Sequence, residues 1–214
     1  MEDEDVDENG YENVKVILIG NSGVGKTNLI NIASGGKFDP AEKSTISSSF
    51  VNVLFKVENK QYNLQIWDTI GQERLRVLSK LFFKNSKIVV FVYDITIKES
   101  FYGLKDWYKE VEDATGDNTI KGVLGNKNDL FLKEQVKEDE GQKYANTIHA
   151  LFRTTSAKTE PRGFSEFLQE LINEYDKIKS KDANKENNVE NKKIKINPKV
   201  NNIMNNKKKK KVFC

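Results

Sequence analysis

The chain has 214 residues, 37% hydrophobic and 31% charged, with a formal net charge of +3. It is long enough for one well-buried domain, and no stretch approaches the roughly 20 apolar residues that span a bilayer. With one Cys, the final Cys214, and one His, His149, the chain can form no internal disulfide, no Cys/His zinc cluster and no imidazole-based hydrolase triad, so any metal must be held by oxygen.

The charge is unevenly spread. The start, MEDEDVDENG, is acidic where a secretory signal would be basic and then apolar, so a cytosolic protein is expected. Residues 177–211 are dominated by Lys and Asn, a composition that buries too little apolar area to offset its ordering entropy. The expected organisation is an acidic disordered tail over 1–12, one domain over 13–176, and a disordered Lys/Asn-rich tail over 177–214.

In chain order, Val14–Ile19 reads as a buried strand entering a turn at Gly20, and a helix follows over Lys26–Ala33. Phe50–Val57 and Tyr62–Trp67, separated by Glu58–Gln61, fit an antiparallel hairpin at one edge of a sheet. Ile88–Tyr93 and Gly122–Leu124 read as buried strands and His149–Phe152 as the last one. Helical patterns fall near Leu75–Lys84, Ser100–Asp113, Lys137–Asn146 and Gly163–Tyr175, the last with Phe164, Phe167, Leu168, Leu171 and Ile172 on one stripe. Strands alternating with crossover helices imply an α/β three-layer sandwich around a mostly parallel six-stranded sheet with one antiparallel edge strand. In such sheets ligands sit beyond the carboxyl ends of the strands.

The loops at those ends carry the motifs. Gly20-Asn21-Ser22-Gly23-Val24-Gly25-Lys26-Thr27 matches G-x-x-x-x-G-K-[ST] between a strand and a helix. There the glycines let backbone N–H groups surround an anionic phosphate. The helix N-terminus adds its positive end, Lys26 reaches the β- and γ-phosphates, and the Thr27 hydroxyl serves Mg²⁺. Asn28 completes the set of residues expected at the nucleotide from this segment. A glycine-rich turn that binds nothing would bury an ammonium without an anion, at a cost.

Asn126-Lys127-Asn128-Asp129 follows the strand ending at Leu124. The Asp129 carboxylate can accept from both N1–H and the exocyclic amine of guanine, whereas adenine would leave it desolvated and unpaired. Sites of this kind discriminate by roughly 10⁴ to 10⁵, which disfavours ATP. Asn126 is expected to brace neighbouring loops and Lys127 to lay its stem along the base. Ser156-Ala157-Lys158, after the last strand, would close the pocket through backbone contacts.

With these motifs in order, residues 13–176 resemble the Ras-like small GTPases and, within them, the Rab branch. The Rab likeness rests on Ser44-Thr45-Ile46, on Trp67-Asp68-Thr69 leading into Gly71-Gln72-Glu73-Arg74, and on Tyr93-Asp94-Ile95-Thr96 followed by Glu99-Ser100-Phe101. The resemblance implies a P-loop GTPase fold and slow hydrolysis of GTP to GDP, accelerated by a partner. It implies that Phe38 packs against the guanine, that Thr45 binds Mg²⁺ and senses the γ-phosphate, and that Asp68 holds Mg²⁺ through a water. Gly71 would donate its N–H to the γ-phosphate, and catalysis would rest on Gln72, which orients the attacking water, and Lys26, which stabilises charge developing on the phosphate oxygens. Loss of the γ-phosphate would release the loops around Thr45 and Gly71, changing a binding surface for effectors, an exchange factor and an activating protein in vesicular trafficking. Phe50, Trp67 and Phe82 stand where Rab proteins carry an aromatic trio read by partners. Taken singly, each also fits a core position.

Two departures bear on function. Ile70 replaces the small residue usual before Gly71, which implies slowed hydrolysis or an altered pose, and a non-cycling GTP-bound scaffold is the alternative reading. Ser47-Ser48-Ser49 replaces a small-apolar-acidic stretch and implies unusual partners. A phosphate-loop small-molecule kinase comes last, since there is no Arg-rich lid and the base loop selects guanine.

The run Lys207–Lys211 adjoins Val212-Phe213-Cys214. Polybasic segments gain about 1 kcal/mol per residue near an anionic membrane surface, and a prenyl group on Cys214 would supply the second anchor that stable attachment needs. The ending is neither C-a-a-X nor a double Cys. Nucleic acid is not expected as a partner, because no aromatic platforms accompany the Lys residues, and the protein is expected to be a monomer on the cytosolic face of intracellular membranes. In detergent partitioning from the native cell, the chain should enter the detergent phase and Cys214→Ser should stay aqueous; equal aqueous recovery of both removes the anchor.

Overall fold

The computed structural model describes residues 6–7, 9–42, 49–68, 83–115 and 119–195, with side chains described up to residue 181. The chain divides after Tyr175 into two units. In the first unit, six strands form one sheet: β1 Glu12–Ile19, β2 Ser49–Val57, β3 Lys60–Asp68, β4 Ile88–Asp94, β5 Ile120–Asn126 and β6 Leu151–Thr154. Their order across the sheet is β2-β3-β1-β4-β5-β6. The β2–β3 pair is antiparallel and the other pairings are parallel, as the alternation of strand and helix patterns implies.

The central strands are apolar because both faces are covered. All seven residues of β4 are buried, as are Val16 to Ile19 of β1. The helices of the first unit are α1 Lys26–Ala33, α2 Lys98–Tyr102, α3 Leu104–Thr115, α4 Glu138–Thr147 and α5, which begins at Gly163. One face of the sheet, with Ile17, Ile19, Val89, Phe91, Tyr93 and Val123, packs on Phe101, Leu104, Trp107, Val111 and Ala145 from α2, α3 and α4. The opposite face receives the apolar stripe of α5: Phe164, Phe167, Leu168, Leu171 and Ile172 are all buried. Gly122 makes that approach possible, since an added Cβ would stand 2.9 Å from Phe167 and 3.1 Å from Leu171. Arg153 of β6 fastens α5 with one guanidinium, pairing at 2.7 Å with both Glu166 and Glu170.

Several boundaries differ from the sequence reading. The last strand is Leu151–Thr154 rather than His149–Phe152, because His149 has φ 53° and closes α4 instead of extending a strand. There the Ala150 N–H donates to the Ala145 carbonyl at 2.9 Å, a helix C-terminal turn. The helix expected over Ser100–Asp113 is two pieces broken at Gly103, where the Asn21 side chain comes within 3.1 Å of a would-be Cβ. β5 is longer than the Gly122–Leu124 expected, and the hairpin turn is the tight Glu58-Asn59, with Glu58 at φ 53°. The helix expected over Leu75–Lys84 falls almost wholly outside the described residues.

In the second unit the backbone is helical from Asp176 to Lys195, the end of α5. This helical backbone covers part of the Lys/Asn-rich segment, 177–214, for which disorder was expected. The apolar content there is too low for a core of its own, as composition implies. A helix already nucleated, however, adds one hydrogen bond per residue fixed, and Lys and Glu are good helix formers. Among the described residues no helix is long and apolar enough to cross a membrane.

Tyr93 tests how tightly this core is packed. Its ring is fully buried, and its hydroxyl has no hydrogen-bond partner among the described residues. Burial pushes its pKa well above the usual tyrosine value. The hydroxyl occupies space kept open by Gly141, where a Cβ would crowd both Tyr93 and Phe152. Removing an unsatisfied buried hydroxyl is nearly neutral or stabilising, so Tyr93→Phe should leave the urea-unfolding free energy unchanged to within about 0.5 kcal/mol or raise it. Gly141→Ala should lose about 1–3 kcal/mol despite the better helix propensity of Ala, because overpacking outweighs that gain; denaturation of both variants reads the two effects.

Candidate nucleotide-binding site

The loops that follow the carboxyl ends of β1, β5 and β6 line, together with residues 38–42 after α1, a cavity of about 630 Å³, within the range of small-ligand pockets. Ser22, Gly23, Gly25, Lys26, Thr27, Asn28 and Phe38 line one part of it, and Asn126, Lys127, Asp129, Ser156, Ala157 and Lys158 line another. Residues remote in sequence and expected to serve the phosphates, the base and the closing loop are thus brought to one concavity. Asn21 and Val24 stand behind this lining: Val24 is buried, and Asn21 accepts at 3.2 Å from the Trp107 indole N–H of α3.

The phosphate-loop segment takes its shape from local constraints. Gly20, at φ 146°, passes so close to β4 that a Cβ would fall on the Val92 carbonyl. Gly25 caps α1 at φ 97°, and a Cβ there would fall on the Asn126 amide nitrogen, so a side chain would displace Asn126. The first turn of α1 holds no acidic residue, so no side chain of its own offsets the positive end of the helix dipole. Lys26 is 6% exposed and donates from Nζ to the carbonyls of Gly20 at 2.8 Å and Asn21 at 3.0 Å. Burial pushes its pKa down to about 8, and the charge of Asp68 offsets that only in part. A largely desolvated ammonium at a helix N-terminus suits a polyanion.

Thr27 donates its hydroxyl to Asp68 Oδ2 at 2.7 Å. The end of β3 thereby meets the start of α1 and puts two hard oxygen donors side by side, the donor type Mg²⁺ prefers. Asn28 locks a loop: its Nδ2 donates to the Asp39 carbonyl at 3.0 Å and its Oδ1 accepts from the Asp39 N–H at 2.8 Å. This seats Phe38, half-buried, on the cavity wall.

The base loops are cross-braced. Asn126, 1% exposed, donates to the Val24 carbonyl at 2.8 Å and accepts from the Ala157 N–H at 3.3 Å, tying all three loops together. Asp129 Oδ1 accepts from the Ser156 hydroxyl at 2.6 Å, while Ser156 Oγ itself accepts from the N–H groups of Lys158 and Thr159 at 3.1 Å. Ser156 therefore contributes a side chain, where backbone contacts alone were expected. Lys127, at φ 67°, donates to the Gly23 carbonyl at 2.7 Å. The sequence reading gave no structural role to Glu160, which holds the Asn128 amide at 2.9 Å, nor to Asp39 or Trp107. Each acts through contacts spanning 11 to 86 positions, for which a linear motif has no signal.

Phe50 is 47% exposed and stacks on the half-buried Trp67 at 4.8 Å, with Lys15 Nζ 5.1 Å from the Trp67 ring. These two aromatics form a surface rather than core. Thr45, Ile70, Gly71, Gln72, Phe82 and Cys214 lie outside the described residues.

Against this geometry, the family model described as "Ras: Ras family" matches residues 15–177. The chain belongs to the Ras family, in its Rab branch. It is 39% identical over 145 residues to Ras-related protein Rab-22A of Homo sapiens, covering 68% of this chain and 75% of the relative. Over 157 residues it is 36% identical to Ras-related protein Rab-21 of Geodia cydonium, covering 73% and 68%. Over 163 residues it is 37% identical to Ras-related protein Rab-18 of Lymnaea stagnalis, covering 74% and 80%. The chain is a small GTPase that binds GTP and GDP.

In this GTPase the brace through Asn126 bears on the ligand-free fold as well. Asn126→Ala would leave the buried Val24 carbonyl and Ala157 N–H unsatisfied, at about 1–3 kcal/mol each. Thermal melting of the apo variant should fall clearly below native, and GDP release should accelerate; an unchanged melt would show that the loops do not depend on this residue.

Proposed function

We propose that this Rab-branch GTPase is a cycling switch that hydrolyses GTP slowly and recruits trafficking partners at the cytosolic face of an intracellular membrane. The observation that carries the reading is the pairing of a buried Lys26 ammonium with an Asp129 carboxylate in the lining of one cavity. A cation for the phosphates and a hydrogen-bond acceptor for guanine then meet the same ligand.

Lys26 stabilises charge that develops on the β–γ bridging and terminal oxygens. Mg²⁺, held by Thr27, Thr45 and Asp68, would neutralise phosphate charge when bound. Asp129 accepts from the guanine edge with its carboxylate oriented by Ser156, Phe38 covers a base face, and Lys127 walls the pocket. Gln72 orients the attacking water, and the contacts of Thr45 and Gly71 with the γ-phosphate hold the switch loops, which relax when that phosphate leaves. The exposed Phe50 with Trp67 offers aromatic anchors to effectors, a role that Phe82 shares in this reading. The polybasic run and a prenyl group on Cys214 supply the membrane attachment.

The purified chain should carry GDP or GTP and convert GTP to GDP in single turnover with Mg²⁺, and chelation of the metal should speed nucleotide release. Neither nucleotide on the protein, with no preference over adenosine counterparts, would overturn the reading. Ile70→Ala should raise the single-turnover rate if the branched side chain crowds the γ-phosphate loop. A native chain that retains GTP unhydrolysed, rescued by this substitution, would establish the scaffold alternative; equal rates remove the proposed effect of Ile70.

A further inference from the structure

Asp94 ends β4 as a carboxylate shut away from solvent, with 2% of its side chain exposed. Its two oxygens serve different partners. Oδ1 accepts from the backbone N–H and the hydroxyl of Thr96, at 2.8 and 2.7 Å, which fixes the carboxylate against its own turn. Oδ2 lies 2.7 Å from the Lys127 ammonium, and that ammonium also donates to the Gly23 carbonyl of the phosphate loop at 2.7 Å. The sheet enforces the meeting: Asp94 is in register with Asn126, and the Ile95 N–H donates to the Asn126 carbonyl at 3.1 Å.

A buried carboxylate needs a counter-charge, and removing one member of such a pair strands the other. Lys127 is one-third exposed, so without Asp94 its long side chain would keep one neutral carbonyl partner and gain water as a competitor. With Asp94 in place, the ammonium is held at Gly23 and the stem is drawn along the cavity wall between the base loop and the phosphate loop.

We propose that Asp94 is a positioning residue for nucleotide retention: it pins Lys127 across the junction of the two loops, so that base and phosphates are gripped by one rigid wall. The inference rests on the reading that the cavity holds a guanine nucleotide. Its specific content is that Asp94 acts only through Lys127.

Release of a fluorescent GDP analogue from the full chain with Mg²⁺, chased by excess GDP, tests this in native protein, Asp94→Asn, Lys127→Met and the double variant. Asp94→Asn keeps the shape and an acceptor for Thr96 but loses the charge. Its release should be roughly tenfold faster than native, and the double variant should be no faster than Lys127→Met alone, as expected when two residues act as one unit. Thr96→Val loosens the other side of the same carboxylate and should release GDP within about twofold of native. Equal rates for native and Asp94→Asn, multiplicative effects of the two substitutions, or equal acceleration by Thr96→Val would each overturn the role of Asp94. A native chain that cannot be loaded overturns the underlying reading and this inference with it; a loaded chain insensitive to Asp94→Asn overturns the inference alone.

Discussion

Burying Lys26 takes a charge out of water at the end of β1, and much of the surrounding structure bears on that cost. Carbonyls of Gly20 and Asn21 solvate the ammonium and Asp68 offsets part of the desolvation, whereas the positive end of α1 at the same point adds to the cost. All of this remains short of a full counter-charge. The deficit is of the kind a phosphate chain removes, so the feature that burdens the empty fold is the one that would favour the loaded one.

The loops around this point are braced to one another and to the ends of the strands. Asn126 joins the phosphate-loop segment to the Ala157 loop, Lys127 joins Gly23 to Asp94, and Ser156 orients Asp129. Each brace connects segments that carry different parts of the expected ligand contacts. Displacing one is therefore felt at the others, which suits a protein whose partners act by opening or closing a nucleotide site. Phe50 and Trp67 sit on β2 and β3, and β3 also ends in Asp68, beside Thr27. One strand thus links an exposed aromatic surface to the expected metal position.

Much of the architecture was legible because the signals are local. Val16 to Ile19 and Ile88 to Tyr93 are continuous apolar runs, which in an alternating α/β chain mean strands covered on both faces. The stripe from Phe164 to Ile172 has the period of a helix with one buried side. Boundaries were less legible. The pattern that reads as one helix is two pieces meeting at Gly103, where Asn21 leaves little room for a side chain, and His149 ends a helix through a left-handed backbone that its identity does not announce. The helical backbone to Lys195 escaped a compositional argument because cooperativity, not local burial, extends a helix.

The sequence alone determined which chemistry the chain brings: a G-x-x-x-x-G-K-[ST] segment after a strand, an N-K-x-D segment after another, and oxygen donors in place of His or Cys. Those inferences are open to a linear reading because backbone freedom, charge and hydrogen-bonding capacity are properties of residues in short order. Only the tertiary structure decided that Asp94 faces Lys127, that Ser156 turns its hydroxyl to Asp129, that Asn28 secures the loop bearing Phe38, and that Trp107 steadies Asn21. These contacts join positions 11 to 86 apart, and the strand order and register that bring them within 3.2 Å of one another are settled by packing of the whole sheet.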